Sequence, residues 1–282
     1  MWQLIRLSQR FFRGWPERIG SPMASMGVTA LWLSVVLVVA VAAGLSVVSI
    51  WLAHRFKRSR GSELKSPLAP FITTVALVYG ALLGFTVVVA WEQFSSAEAN
   101  VANEASTLAT MYRQTVALPA PEQARVREML RTYTTATKGE WTAQGRDDAS
   151  ATARTTITDL YRVLGSRPTD EGASPIEGEI LAQVTTLTSQ RNIRVLDARP
   201  RIPGLLWTGL VFGGIVLIGL TGFTPMESRR GHLVLTTAVA TLLCLLLYIV
   251  YWLDHPFGYQ VGVTPAPFEQ SVQVFDSVDN GT

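Results

Sequence analysis

Four stretches of the chain contain no Asp, Glu, Lys or Arg: Gly27–Ala53, Ser66–Trp91, Pro203–Met226 and Leu233–Leu253. Each is roughly 21 to 27 residues long, so as a helix each reaches the ~30 Å of a bilayer's hydrocarbon core. Four transmembrane helices are therefore expected. The first run is too long, and too basic just after it, for a cleaved signal peptide. Between the second and third runs the pattern changes. Residues 92–202 are polar, and their apolar positions recur at helical spacing, as in Phe94, Val101, Leu108, Met111 and Tyr112. Nothing breaks the chain between Trp91 and Leu118, so the second span is expected to run on beyond the membrane. "PAPEQARVREMLRTYTTATKGEW" opens with prolines and an early acid, which suits a helix start, and its inner face would carry Met129, Leu130 and Tyr133. "DDASATARTTITDLYRVLG" predicts a further helix ending near Gly165. "SRPTDEGASP" reads as a loop. "IEGEILAQVTTLTSQRNIRVLDAR" predicts a last insert helix, stopped by Pro200 and Pro203 and expected to lead outward from the third span.

The expected architecture is an all-α membrane protein: four transmembrane helices with a helical extramembrane insert between spans 2 and 3. Its divisions are an amphipathic N-terminal segment (1–26), spans 1 and 2 (27–91), the insert (92–202), spans 3 and 4 (203–253) and a C-terminal tail (254–282). Composition agrees: 48% of the 282 residues are hydrophobic and 16% charged, where a soluble domain carries about a quarter. Trp51, Trp91, Trp207 and Trp252 fall at ends of runs, where amphipathic rings prefer the headgroup layer. The connections "HRFKRSRGSELK" and "ESRRGH" are densely basic, which places them in the cytoplasm of an inner membrane and the insert outside. Arg6, Arg10, Arg13 and Arg18, and Arg191, Arg194, Arg199 and Arg201, pull the other way.

Charge and motifs exclude several classes. A net charge of +3 gives no footprint for nucleic acid, and the arginines are accounted for by topology. Cys244 is the sole cysteine, so no internal disulfide or thiolate metal cluster forms. His54, His232 and His255 sit at opposite span ends and cannot meet in a triad. No metal-binding, phosphate-loop or cofactor signature is present, so neither a cofactor nor an enzyme activity is expected. The spans hold no charge, whereas coupled transporters need an intramembrane acid or base, or broken helices. A passive pore needs none.

The candidates for such a pore are the polar groups of the second span and its exit. Thr74, Tyr79 and Thr86 could line it, and Glu92, repeated around an axis, could form a ring at a mouth. Asp254, in "LDHPFG", ends the last span; it could be a plain helix stop, or a carboxylate at a mouth that pairs with an arginine such as Arg201. Gly80 and Gly84, like Gly209 and Gly213, are four apart, the spacing that lets helices approach closely in lipid. Four spans leave little room for a pore within one subunit, so a conducting path requires a homo-oligomer.

"VYGALLGFTVVVAWEQF", "NEASTLATMYR", "LRTYTTATKGEW", "LDHPFG" with "VTPAPFE", and "LW" at the start of the third span resemble, in order, a family of bacterial membrane proteins described as bestrophin-like, long treated as a domain of unknown function. The likeness to true bestrophins is architectural: two spans, a helical insert, two spans. Those proteins are homo-pentameric chloride channels with the insert in the cytosol, the side opposite to the one the charges favour here. Their calcium-clasp acids and aromatic neck have no match in this chain, so no pore residue carries over. The resemblance implies a homo-oligomer in the lipid bilayer that passes small inorganic ions, anions foremost. A non-conducting scaffold or sensor, whose insert binds a partner, is the alternative from another class.

Overall fold

The computed structural model describes residues 39–51, 68–141, 146–165, 175–222, 228–257 and 262–281, with Leu33, Val36, Leu37 and Arg55 besides. The N-terminal segment 1–26, nearly all of the first basic connection and most of the expected loop at 166–175 lie outside the described residues. Among the described residues there is no strand. The helices are α1 (Val39–Trp51), α2 (Leu68–Gln114), α3 (Ala120–Gly139), α4 (Arg146–Gly165), α5 (Pro175–Asp197), α6 (Gly204–Gly222), α7 (Arg229–Leu253) and α8 (Ala266–Asn280).

Two compact units contain these helices: Met1–Val88 with Pro203–Tyr251, and Val89–Ile202 with Trp252–Thr282. α2 is one helix of 47 residues, about 70 Å long, as the unbroken sequence from Trp91 onward predicts. It ends in a single 3-10 turn, Thr115–Ala117, and Leu118 is extended ahead of Pro119. The last insert helix, by contrast, stops at Asp197, and α6 starts afresh at Gly204. Pro200 and Pro203 supply no N–H to carry a helix across that gap.

In the first unit, α6 and the Arg230–Leu253 stretch of α7 are long and apolar enough to cross a bilayer, as is the Pro70–Ala117 stretch to which α2 contributes; α1 is a shorter apolar helix. The expected first span is therefore described as helix mainly over Val39–Trp51. Phe71, Leu77, Phe85, Leu205, Phe212 and Val234 are all exposed, a disposition that suits lipid and not water. The chain is an integral membrane protein. Polar contacts pin the helices to one another: the Ser49 hydroxyl donates to the Ile218 carbonyl at 3.0 Å, and the Tyr79 hydroxyl to that of Leu210 at 3.0 Å.

The second unit has its own apolar core. Val101, Leu108, Met111 and Tyr112 of α2, Leu130 and Tyr133 of α3, Leu160 of α4, and Ile180, Val184 and Leu187 of α5 are buried in it, with Met129 and Phe94 at its margin. Start signals explain where these helices begin. Pro119 precedes α3 and Glu122 lies in its first turn; Asp147 and Asp148 open α4, and Pro175 and Glu177 open α5. The C-terminal tail, 254–282, holds α8. Pro265 precedes that helix, Glu269 sits in its first turn, and Gly281, at φ 70°, ends it. Phe268 and Phe275 place α8 in the same core.

Candidate functional site

The polar residues of the second span meet different fates. Thr74 is exposed, and its hydroxyl donates to the Pro70 carbonyl one turn back at 3.0 Å. Thr86 is buried and does the same toward Leu82 at 2.8 Å. Tyr79 is buried, with one edge of its ring against Gly213 of α6: a methyl added at Gly213 would meet ring carbons at 2.7 and 2.8 Å, and one at Gly214 would meet the hydroxyl at 3.0 Å. Gly80, Gly84 and Gly209 differ, because nothing lies within 4 Å of a methyl placed there. The four glycines picked for helix packing thus split. Gly213 makes room for an aromatic ring of the same chain, and the other three face open space in the single subunit. Gly213→Ala is expected to cost about 1–3 kcal/mol of stability by overpacking. Gly209→Ala leaves the monomer's stability unchanged and shows any effect only in assembly; unfolding in detergent, paired with native mass spectrometry, separates the two.

Glu92 is exposed on α2. Asp254 is buried, and its Oδ1 accepts the backbone N–H groups of Arg201 and Ile202, both at 3.0 Å. The expected link to Arg201 therefore runs through the Arg201 amide. The Arg201 guanidinium instead pairs with Asp197 one turn back, and the Asn100 side chain also donates to Asp197 at 2.7 Å. Those amides need a partner because they belong to the break between α5 and α6, where proline rules out helical bonding. Asp254→Ala, which strands one buried and one part-buried donor, is expected to lower the unfolding free energy by about 1–3 kcal/mol, and Asp254→Asn, which keeps an acceptor, by less than half of that.

The densest polar constellation was not singled out by sequence reasoning. Glu104 of α2 is fully buried, and so is Tyr133 of α3, whose hydroxyl donates to Glu104 Oε1 at 2.6 Å. Arg194 of α5 lies beside them; its Nε donates to Glu104 Oε2 at 2.6 Å and its Nη1 to Glu140 Oε2 at 2.7 Å. Glu140, just past α3, also accepts from Arg191 Nη2 at 2.8 Å. The Arg194 guanidinium stacks over the Trp141 ring at 5.2 Å. Trp141 in turn makes edge contacts with Phe257 and Phe268, and its indole N–H donates to the Val263 carbonyl at 2.8 Å. Burial alone would lower the Arg194 pKa, but Glu104 and Glu140 more than offset this and hold it above its usual value. The same burial, with the Glu104 charge, pushes the Tyr133 phenol well up. Both groups therefore keep one protonation state through the physiological range, and the cluster ties α2, α3 and α5 together.

The signal that could have located this cluster was present in the sequence. "NEASTLATMYR" supplies Glu104, "LRTYTTATKGEW" supplies Tyr133, Glu140 and Trp141, "LDHPFG" supplies Phe257, and "VTPAPFE" supplies Val263 and Phe268. Stretches scattered over more than 160 positions converge on one point of the second unit. Among the described residues no group of three or more His, Cys, Asp or Glu is placed to hold a metal ion.

The bestrophin-like domain model matches residues 40–268, most of the chain. The chain belongs to the bestrophin-like family. No curated protein matches it, but solved structures share its fold. A bacterial bestrophin homolog from Klebsiella pneumoniae carrying a single substitution superposes with a TM-score of 0.70 at 14% identity, covering 86% of this chain and 97% of that one. Another variant of that homolog gives a TM-score of 0.68 at 13% identity, with coverage of 88% and 99%. The structure of the same homolog phased on zinc gives 0.67 at 14%, with coverage of 87% and 98%. Agreement over nearly the whole length of both chains at so low an identity makes the fold of this bestrophin-like chain that of the bacterial homolog.

Proposed function

We propose that this protein is one subunit of a homo-oligomeric channel through which small inorganic anions move passively across the inner membrane, each subunit contributing four spans. The observation that carries this reading is the family match across residues 40–268, joined to a whole-length fold likeness to a bacterial bestrophin homolog. Two features of the chain support it. The apolar runs contain no group that would couple transport to a proton or cation. Gly80, Gly84 and Gly209 present open faces on which a neighbouring subunit's helix could pack closely.

Within this reading Thr74 and Glu92, both exposed, are the lining and mouth candidates, while the buried Tyr79 and Thr86 serve packing and Asp254 holds the backbone before Pro203. Purified protein in liposomes is expected to pass chloride in a potential-driven flux assay. Glu92→Gln, by removing a negative charge from the mouth, is expected to raise anion flux about twofold to tenfold at low salt and to matter little at 1 M salt. Absence of flux at every potential and pH tested would leave the scaffold or sensor reading in its place. The dense basic connections put the insert in the periplasm, and the bestrophin analogy puts it in the cytosol. Cysteines introduced in α4 and challenged with an impermeant thiol reagent on intact cells decide between the two.

A further inference from the structure

The buried charge cluster is not closed on all sides. Both carboxylates use both oxygens: Glu104 accepts from Tyr133 and twice from Arg194, and Glu140 accepts from Arg194 and Arg191. Arg194 is fully engaged, through Nε, Nη1 and Nη2. Arg191 is not. Its side chain is 4% exposed, its Nη2 donates to Glu140 and to the hydroxyl and carbonyl of Ser150, and its Nη1 has no acceptor among the described residues. A second orphan lies on α3, one turn before Glu140. Thr137 is fully buried, and its hydroxyl also lacks a partner among the described residues. Other helical threonines of this unit, such as Thr134 and Thr156, turn their hydroxyls back onto the carbonyl four residues earlier; Thr137 does not. Thr137 precedes Glu140 by three positions, so the two occupy neighbouring places on one helical surface, and Glu140 is the carboxylate that Arg191 reaches.

We infer that Arg191 Nη1 and the Thr137 hydroxyl together hold a buried monatomic anion of about chloride's size. A buried guanidinium N–H left unmet is expensive, and charge is least compensated on this side of the cluster. Arg194 touches two carboxylates, whereas Arg191 shares a single one with Arg194. The next buried acid on α5, Glu177, lies fourteen residues from Arg191, about 21 Å along the helix, too far to neutralise it. The groups on offer favour a halide over water. Both can donate, and a halide accepts from both while meeting the Arg191 charge, whereas a water molecule brings no charge of its own to that guanidinium. This site is structural, lies in the helical unit and does not depend on the channel reading.

Diffraction from crystals of the full-length protein grown in bromide is expected to show an anomalous peak within hydrogen-bonding distance of Arg191 Nη1. Ordered water there, or no peak, overturns the inference. In detergent solution, replacing gluconate by chloride at constant ionic strength is expected to raise the unfolding midpoint by about 3 °C, and the isosteric Thr137→Val variant is expected to lose most of that rise. A chloride effect that Thr137→Val retains in full overturns the assignment. Neither measurement involves ion flux, so a failure of the channel reading would leave both informative.

Discussion

Glu104→Ala is expected to remove about 3–5 kcal/mol of stability, because truncating one partner of a buried pair leaves an uncompensated charge. Arg194 is 5% exposed and would keep only Glu140, while the Tyr133 hydroxyl would lose the Glu104 oxygen that accepts from it. Tryptophan fluorescence of the full-length protein in detergent, followed through denaturant, gives the change directly. Glu104→Gln keeps an acceptor for Tyr133 but not the charge, and falls between the two. The exposed pair of Arg162 and Asp159 is the internal control; Asp159→Asn there is expected to cost less than about 1 kcal/mol. A loss at Glu104 no larger than that at Asp159 would show the cluster to be incidental. The pH dependence follows in sign. The Tyr133 phenol is raised above 10.0 in the folded protein, so its stabilising share is complete below pH 10 and drains away as pH climbs toward the folded value. Wild-type stability should accordingly fall above pH 10, and that alkaline slope should be weaker in Tyr133→Phe.

Phe268→Ala carries the second large effect, about 3–5 kcal/mol for a phenyl ring deleted from a packed core. Phe268 is fully buried, meets Trp141 edge-on at 5.8 Å and lies under the Arg194 guanidinium at 6.0 Å. Its loss should loosen α8 first. Limited proteolysis is expected to clip the variant within residues 262–281 well before the wild type. The polar contacts on the outer side of α8 do less. Arg131 bridges Asp276 and Asp279 with 36% of its side chain exposed, so Asp276→Asn is expected to cost under about 1 kcal/mol. If Asp276→Asn proved as damaging as Phe268→Ala, α8 would be held by charge and not by its rings.

Much of the local structure is legible from the chain because its causes are local. Prolines and acids at the starts of α3 and α5, and the proline pair after Asp197, act through a residue's own backbone or first turn, so the insert helices fall where the spacing predicts. α8 went unread although its signals were of the same kind: Pro265, Glu269, Gly281, and Phe268, Ser271 and Phe275 at helical spacing. The glycines show the limit of pattern. Spacing of four selected Gly209 and Gly213 alike, yet only Gly213 has a tyrosine ring against it, and no rule of spacing distinguishes a face turned to Tyr79 from one turned outward.

Taken alone, the amino-acid order settled the solvent and the kind of element. Long uncharged runs cannot hydrogen-bond to lipid, so they must satisfy their backbone internally as helices, and the polar stretch between them has a helical repeat of its own. What it left to tertiary structure was pairing across distance. Glu104 and Arg194 stand 90 positions apart, Tyr79 and Leu210 stand 131 apart, and the Asp254 carboxylate meets amides more than 50 residues earlier. Charge neutralisation and close packing depend on ångström separations between helices, and those separations are fixed only once the helices have met.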